Sequence, residues 1–191
     1  MGLGKTLQTI AHLATEKESG RMLSPCLVVV PKSLAGNWQR ELGKFAPGLR
    51  VLAVHGKKRA EAYDRLGDAD VAITTYPVLV RDLEKFQQHT FHLLVLDEAQ
   101  AIKNSRSLAN KAVSSLEAKH RLCLTGTPVE NNLGELWSLF DFLMPNLLGN
   151  QKQFRTRYQY PIEREHHEPR LIQLRSRVAP FILRRMKQTV A

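Results

Sequence analysis

The sequence predicts an α/β fold with a mainly parallel sheet, followed by a short basic helical extension. Apolar runs rich in Val, Leu and Ile alternate with amphipathic stretches over residues 1–145. Several of these runs end in polar or small residues, which is typical of buried parallel strands whose carboxyl ends face a ligand. Beyond residue 145 the alternation stops and basic residues dominate the charge.

Strands and helices are predicted to alternate over residues 1–145, because β-branched apolar runs are separated by stretches of helical periodicity. The predicted strands cover residues 27–31, 51–56, 69–76, 91–98 and 120–128. The predicted helices cover residues 5–18, 34–45, 57–66, 78–86, 105–116 and 133–143. In the extension we expect irregular chain from residue 146, then helices near residues 169–178 and 181–190.

The composition is that of a globular protein. An apolar fraction of 43% over 191 residues is enough for a sizeable core. No apolar run approaches the roughly 20 residues that span a membrane, and the start of the chain does not resemble a signal peptide. Cys26 and Cys123 both lie in apolar runs, so we expect buried free thiols and an intracellular protein.

The positive charge is concentrated near the end of the sequence. The net charge is +10, and residues 151–191 contribute +7 of it through ten Lys or Arg and three Glu. A basic segment beside a nearly neutral domain predicts a polyanionic partner, with nucleic acid first. Charge alone leaves a solvated helical surface as an equal alternative.

The sequence begins with the second half of a phosphate-binding loop. Gly4, Lys5 and Thr6 match the end of the pattern G-x-x-x-x-G-K-[ST] and lead directly into the first predicted helix. Glycines let backbone N–H groups close around phosphate, the lysine reaches the outer phosphates, and the hydroxyl holds Mg²⁺. The helix N-terminus then faces the anion. The first half of the loop and its strand are missing, so we expect an incomplete site.

A pair of carboxylates, Asp97 and Glu98, follows the apolar run at residues 93–96. An aspartate in this position can hold Mg²⁺, usually through water, and the next glutamate can polarise the water that attacks a γ-phosphate. The alternative is that the two acids only cap the following helix. The phosphate loop at residues 4–6 favours the catalytic interpretation.

Polar residues are predicted to meet at one edge of the sheet, since the carboxyl ends of parallel strands lie together. Residues 31–33, 97–98 and 125–127 each follow an apolar run. Ser33 is also the predicted N-cap of the second helix, a role that competes with phosphate contact for its hydroxyl. Trp38, in that helix, is interpreted as a core residue rather than a base-stacking platform.

Several ordered strings carry a family resemblance. Asp97-Glu98-Ala99-Gln100 resembles the DEAD/DEAH box of helicase superfamily two. The string at residues 124–131, with residues 135–139 after it, narrows the likeness to the SWI/SNF family of DNA-dependent ATPases. Strings similar to that family also lie at residues 1–6, 30–38, 74–76 and 180–187. The resemblance covers essentially the whole chain.

The resemblance implies a three-layer RecA-like P-loop NTPase domain, the first of two lobes that bind ATP between them and duplex DNA across both. Residues 1–145 would form this lobe with its first strand missing, and residues 146–191 would be the basic extension toward lobe two. The implied partners are duplex DNA, the second RecA-like lobe and a DNA-bound protein as the target, with no membrane. The implied location is a bacterial cytoplasm or nucleoid, or a nucleus.

The resemblance also assigns residues to ATP and Mg²⁺. Thr6 and Asp97 would hold Mg²⁺, and Glu98 would orient the attacking water. Gln100 stands where the family usually has histidine; an amide still donates and accepts hydrogen bonds but does not protonate near neutral pH. The residues implied to contact the nucleotide are Gly2, Gly4, Lys5 and Thr6.

Two further groups of residues are implied to act on DNA. Those that would couple the nucleotide state to the grip on DNA are Thr125, Gly126 and Thr127. Those that would lie on the DNA-tracking face, where phosphate contacts give affinity without sequence choice, are Lys32, Ser33, Thr75 and Tyr76. The basic end of the chain, including Arg184, Arg185 and Lys187, would begin the protrusion toward lobe two.

Truncation relative to the family predicts that the isolated chain has little ATPase activity and weak nucleotide affinity. The second lobe would supply arginine fingers, which are worth about 10³–10⁵ in rate in well-studied NTPases. Two alternatives to a duplex-DNA translocase stay open. One is an RNA or single-strand helicase of the same superfamily, and the other is a non-catalytic binding module that retains the fold.

Overall fold

The structure is a computed structural model that describes residues 4–56, 59–126 and 132–184. Contacts divide the chain into two compact units, a first unit of residues 4–128 and a second unit that includes residues 129–191. The division lies at residues 128/129, and the boundary predicted at residue 145 stays a prediction. Within the second unit, the helix that ends at Leu143 shares its core with later residues.

The first unit is built on a sheet of five parallel strands in the order β2-β3-β1-β4-β5. This confirms the predicted α/β fold with a parallel sheet. The three central strands are buried along their whole length, as their continuous apolar sequence requires. The strands are β1 (Cys26–Val30), β2 (Val51–Ala53), β3 (Val71–Thr75), β4 (Phe91–Asp97) and β5 (Ala118–Leu124).

Helices connect the strands of the first unit, as parallel strands require. The first helix has the predicted bounds, and Ser107 caps α6 by accepting a hydrogen bond from the Asn110 backbone N–H (3.1 Å). The helices are α1 (Lys5–Glu18), α2 (Ala35–Phe45), α3 (Ala60–Tyr63), α4 (Tyr76–Arg81), α5 (Leu83–Phe86) and α6 (Leu108–Ser114).

Three helix predictions in the first unit were wrong in detail. In the described residues, the helix expected over residues 57–66 is confined to Ala60–Tyr63 and is followed by a 3₁₀ turn, Leu66–Asp68. The helix expected over residues 78–86 breaks at Asp82, whose side chain accepts hydrogen bonds from Arg59 Nε (2.6 Å) and the Tyr63 hydroxyl (2.8 Å). Ser33 is not an N-cap, because it lies inside a 3₁₀ turn, Lys32–Leu34, that precedes α2 without a side-chain cap. The Ser33 hydroxyl is therefore not committed to capping.

The main core of the first unit packs α1 and α2 against one face of the sheet. Ile10 and Leu13 of α1 meet Trp38 and Leu42 of α2 in a cluster with Val28, and every one of these side chains is buried. Burial of such side chains contributes roughly 1.5–3 kcal/mol each. The sheet and its two covering helices are thus one rigid support for whatever lies at the strand ends.

Both cysteines are free thiols. Cys26 is buried as predicted, whereas Cys123 is half-buried because β5 is an edge strand. Burial raises the pKa of each thiol to about 12, so neither is a reactive thiolate at neutral pH. In the described part of the chain, no helix is long and apolar enough to cross a membrane.

The second unit is helical. Asn132 caps its first helix by accepting from the backbone N–H groups of Gly134 (3.0 Å) and Glu135 (3.2 Å). Its core holds Trp137, Phe140 and Tyr158, all buried. The helices are α7 (Leu133–Leu143), α8 (Gln151–Phe154), a π-helical segment (Arg155–Gln159), α9 (Tyr160–Glu165) and α10 (Glu168–Val178).

The irregular chain predicted from residue 146 was wrong, because residues 151–165 are helical. Asn150 and Gln153 form a reciprocal capping box: Asn150 Oδ1 accepts from the Gln153 backbone N–H (2.9 Å), and Gln153 Oε1 accepts from that of Asn150 (3.0 Å). That N-x-x-Q spacing was the available signal. Pro161 does not end the helical stretch, because it lies in the first turn of α9, where the missing N–H costs little.

We expect Asp70→Asn to destabilise the first unit by about 2 kcal/mol at pH 7, through loss of hydrogen bonds to a charged group. The Asp70 carboxylate is 4% exposed and accepts from Lys17 Nζ (2.8 Å) and Arg50 Nη2 (3.0 Å). Burial raises the pKa of Asp70, but these hydrogen bonds outweigh burial and hold it below the usual range. Because the folded-state pKa is depressed, this stability is present above about pH 4 and is lost as the pH falls.

Urea unfolding at pH 7 and pH 3 measures the effect. The difference in free energy of unfolding between wild type and Asp70→Asn should shrink at the lower pH. Asp64→Asn, at an exposed position, should leave the free energy of unfolding unchanged at both pH values. An equal difference at pH 7 and pH 3 would contradict a stabilising role of the ionised Asp70 carboxylate.

Candidate functional site

The carboxyl ends of four strands form one edge of the sheet, which we call the strand-end edge. Val30 of β1 pairs with Thr75 of β3, and Asp97 of β4 pairs with Leu124 of β5. The polar residues that follow β1, β3, β4 and β5 therefore share this edge, as the sequence predicted.

Asp97 is held at the strand-end edge by donors to both of its oxygens. It is 6% exposed, Oδ2 accepts from the Trp38 indole N–H (2.8 Å), and Oδ1 accepts from the Glu98 backbone N–H (2.9 Å). The Tyr76 hydroxyl donates to the Asp97 backbone carbonyl (2.9 Å). Trp38 is in the core as expected, but its contact with Asp97 was missed. The signal was the indole N–H itself, which usually finds a partner when buried.

Glu98 leaves the strand in a left-handed conformation, with φ 48° and ψ 55°. Such a backbone is rare for a residue other than glycine and is concentrated at functional sites. It ends β4 at Asp97 and gives the two neighbouring carboxylates different surroundings: Asp97 is buried and Glu98 is half-buried.

Gln100 bridges the ends of β4 and β5. Its Nε2 donates to Glu98 Oε2 (2.6 Å), and its Oε1 accepts from the Thr125 hydroxyl (3.2 Å). The Gln100 amide thus donates one hydrogen bond and accepts another. It can do both at once because an amide carries a donor and an acceptor in its neutral form. The acidic pair and the first predicted coupling residue belong to one hydrogen-bonded chain.

The N-terminus of α1 points toward the strand-end edge. At the other end of α1, Lys17 contacts Asp70, which precedes β3, and Glu16 Oε2 lies 3.0 Å from His92 Nε2 near the start of β4. The helix therefore runs antiparallel to the strands. Its 14 residues rise about 21 Å, comparable with strands of five to seven residues.

The phosphate-loop residues at the start of α1 are partly accessible. Gly4 has φ 71°, and no atom lies within 4 Å of where a Cβ would be, so backbone conformation rather than space calls for glycine here. Lys5 and Thr6 are half-buried in the first turn of the helix. Gly2 lies outside the described residues.

The remaining predicted residues differ in exposure. Lys32 and Ser33 are exposed after β1, whereas Thr75 and Tyr76 are 4% and 7% exposed, and the Tyr76 hydroxyl is occupied by Asp97. Gly126 is exposed beside the half-buried Thr125. Three predicted positions, namely Thr127, Arg185 and Lys187, lie outside the described residues.

We expect Trp38→Phe to lower the free energy of unfolding by about 1–2 kcal/mol more than Trp137→Phe does. The Trp38 N–H donates to a carboxylate, whereas the Trp137 N–H donates to the neutral carbonyl of Gly149 (2.9 Å). Hydrogen bonds to charged groups contribute about 1.5–3 kcal/mol and neutral ones about 0.5–1.5. Urea unfolding followed by far-ultraviolet circular dichroism compares the variants, and equal losses would contradict the contact.

Comparison with known proteins identifies the family of the chain. The SNF2-related domain family model matches residues 1–191. The putative ATP-dependent helicase/translocase YwqA of Bacillus subtilis is 44% identical over an alignment of 191 positions that covers 98% of this chain and 21% of that protein. The TATA-binding protein-associated factor mot1 of Schizosaccharomyces pombe is 42% identical over 214 residues, covering 100% of this chain and 11% of that protein.

A solved structure agrees as well. The Sulfolobus solfataricus SWI2/SNF2 ATPase core in complex with dsDNA is similar with a TM-score of 0.91 and 43% identity, over 98% of this chain and 39% of that one. The chain spans about a fifth or less of the two curated relatives. The resemblance inferred from the motifs is confirmed: the chain belongs to the SNF2-related domain family.

Proposed function

We propose that this chain is the first lobe of an ATP-driven duplex-DNA translocase of the SWI/SNF type. The observation that carries the proposal is the hydrogen-bonded chain Glu98–Gln100–Thr125 beside the fixed carboxylate of Asp97, at the edge toward which α1 points its N-terminus. Two similar proteins support it: the putative ATP-dependent helicase/translocase of Bacillus subtilis and the SWI2/SNF2 ATPase core solved in complex with dsDNA.

ATP would bind at the start of α1, where backbone N–H groups and the positive end of the helix dipole favour phosphate. Lys5 would reach the outer phosphates. Mg²⁺ would be held by the Thr6 hydroxyl and, through water, by Asp97. The residues present fit this ion: each Asp97 oxygen already accepts one hydrogen bond and keeps a lone pair, and Mg²⁺ normally takes one or two carboxylates with phosphates and waters.

Glu98 would orient the water that attacks the γ-phosphate. Its carboxylate is anchored on one oxygen by Gln100, which leaves the other oxygen to accept a proton. Because Gln100 also contacts Thr125, a movement at the phosphate would reach β5 and the residues after it, Gly126 and Thr127. This is the proposed route from nucleotide state to DNA grip.

Duplex DNA would lie against the exposed end of β1. Lys32 would contact phosphate as a point charge, and Ser33 keeps its hydroxyl available because it does not cap α2. Thr75 and Tyr76 would support this face from below, since both are buried.

The remaining partners are a second RecA-like lobe and a DNA-bound protein as the target. Because relatives come from a bacterium and a yeast, we propose a cytoplasmic or nucleoid location in a bacterium, or a nuclear one in a eukaryote.

We expect Glu98→Gln to lower DNA-stimulated ATP turnover at least about a hundredfold while ATP affinity is retained, because only the water-activating group is lost. The measurement is steady-state ATPase of the complete natural protein with and without duplex DNA, beside ATP binding by calorimetry. Glu18→Gln, at the opposite end of α1, is the control.

Failure of duplex DNA to stimulate the folded wild-type protein would overturn the proposal. Stronger stimulation by structured RNA than by duplex DNA would favour the alternative helicase. ATP binding without turnover in wild type would favour a binding module.

We expect Thr125→Val to lower DNA stimulation about three- to tenfold, the value of one hydrogen bond, with little change in ATP affinity. Gln100→Ala should lower it at least as much, because it removes the hydrogen bond to Glu98 as well as the one to Thr125. The double variant should lose no more than the larger single loss, since both changes remove the same contact. The matched control is the exposed amide–hydroxyl pair Gln87–Ser115 (3.1 Å), where alanine substitutions should have no effect. Additive losses at Gln100 and Thr125 would contradict the coupling.

A further inference from the structure

The second unit contains a groove that we call the basic groove. Its lining residues are Asn146, Leu147, Leu148, Gly149, Lys152, Gln153, Thr156, Arg157, Tyr158, Arg170 and Arg177. The groove has a volume of about 810 Å³ and is bordered by α8 with its π-helical continuation and by α10. None of its lining residues is acidic, and four of them are cations: Lys152, Arg157, Arg170 and Arg177.

These four cations are not neutralised by carboxylates. No salt bridge in the described part of the chain engages any of them. The Arg157 guanidinium lies 5.4 Å from the centre of the Tyr158 ring, and Arg170 Nη1 donates to Gln173 Oε1 (3.0 Å). Four like charges around one concavity repel each other, and an anionic ligand would relieve that repulsion.

A buried hydroxyl in the groove wall also lacks a partner. Tyr158 lines the groove and is 1% exposed, and its hydroxyl oxygen makes no hydrogen bond within the described residues. A buried hydroxyl without a partner is destabilising. A ligand oxygen, or a water held beneath the ligand, would supply the missing acceptor.

The spacing of the cations selects among anions. Arg170 and Arg177 lie seven residues apart on α10, about 10 Å along the helix axis, and Lys152 and Arg157 lie on the facing segment. A single phosphate ion would contact both arginines only if their side chains bent toward each other. A ligand with several linked phosphates can contact all four cations without such convergence, and a nucleic-acid backbone is such a ligand.

We propose that the basic groove binds the phosphate backbone of nucleic acid, as a second contact made by residues separate from the strand-end edge. The inference rests on the proposed function, because it takes duplex DNA as the partner. Of the other polar side chains in the lining, Gln153 Oε1 accepts from the Asn150 backbone N–H and the Thr156 hydroxyl donates to the Lys152 carbonyl, so the four cations dominate the groove. Contacts from cations to phosphates carry no sequence information, and we expect the contact to be independent of sequence. The +7 balance of residues 151–191 agrees with this ligand.

The test uses the complete natural protein with the triple variant Lys152→Gln, Arg170→Gln and Arg177→Gln. Affinity for a fluorescent duplex, measured over a range of salt, should fall, and the slope of log K against log salt should decrease by about 2–3, roughly one for each lost phosphate contact. The matched control, Arg164→Gln with Arg175→Gln, removes exposed charges of the same unit that do not line the groove and should change the slope little.

The outcomes separate this inference from the proposed function. DNA-stimulated ATPase in wild type, together with an unchanged slope in the triple variant, would overturn the groove and leave the translocase intact. Absence of any DNA stimulation would overturn the translocase itself. Binding of tripolyphosphate but not duplex in a groove-dependent manner would overturn the nucleic-acid assignment.

Tyr158→Phe distinguishes a ligand contact from a structural role. Removing a buried hydroxyl that has no partner should not lower the melting temperature. If the ligand or its water accepts from this hydroxyl, duplex affinity should fall about three- to tenfold. Unchanged affinity would remove Tyr158 from the groove's contacts and overturn this part of the inference.

Discussion

The hydrogen bond from the Trp38 indole to Asp97 is the interaction on which the strand-end edge depends. A carboxylate buried at the end of a central strand is costly unless donors satisfy it, and the chain supplies one donor to each oxygen. One donor belongs to α2, the other is the next residue's own backbone, and Tyr76 fixes the carbonyl. The packing of α2 and the position of the Asp97 carboxylate therefore depend on each other, because any movement of α2 would also move Trp38, the hydrogen-bond donor to Asp97.

The two acidic residues are positioned by different parts of the structure. The sheet fixes the position of Asp97, whereas the left-handed backbone conformation of Glu98 leaves its side chain only half-buried. Gln100 then ties the freer acid to the adjacent strand through a neutral side chain. Such a bridge does not depend on protonation near neutral pH, unlike one made by histidine.

Much of the fold could be predicted because each strand and long helix carries its own periodic signal. The bounds of α1 and α7 agreed with the structure to the residue, and all five strands were present. The failures have local causes. Asp82, where a periodic helix breaks, accepts side-chain hydrogen bonds from another segment, and a capping box at Asn150 starts a helix that the hydrophobic pattern did not indicate.

The candidate site was predicted in outline and not in its contacts. The motifs indicated which residues gather at the edge, since parallel strands align their ends. They could not show that Trp38 holds Asp97, because the two are 59 residues apart and only the packed sheet and helix bring them together. Nor did they indicate the basic groove, since Lys152 and Arg177 lie on segments whose pairing depends on the buried Phe154 and Leu174 between them.

The π-helical turn at Arg155–Gln159 affects how the side chains on either side of it are oriented relative to one another. A π turn holds about one residue more than an α turn, so the side chains before and after it are out of phase by about 100° relative to a continuous α-helix. Deleting one residue here would therefore restore a regular α-helix while Lys152 kept its direction relative to the residues beyond Pro161. A relative one residue shorter in this stretch could thus present its basic side chains in the same direction from a regular helix, whereas the same deletion elsewhere in α8 or α9 would turn them by about 100°.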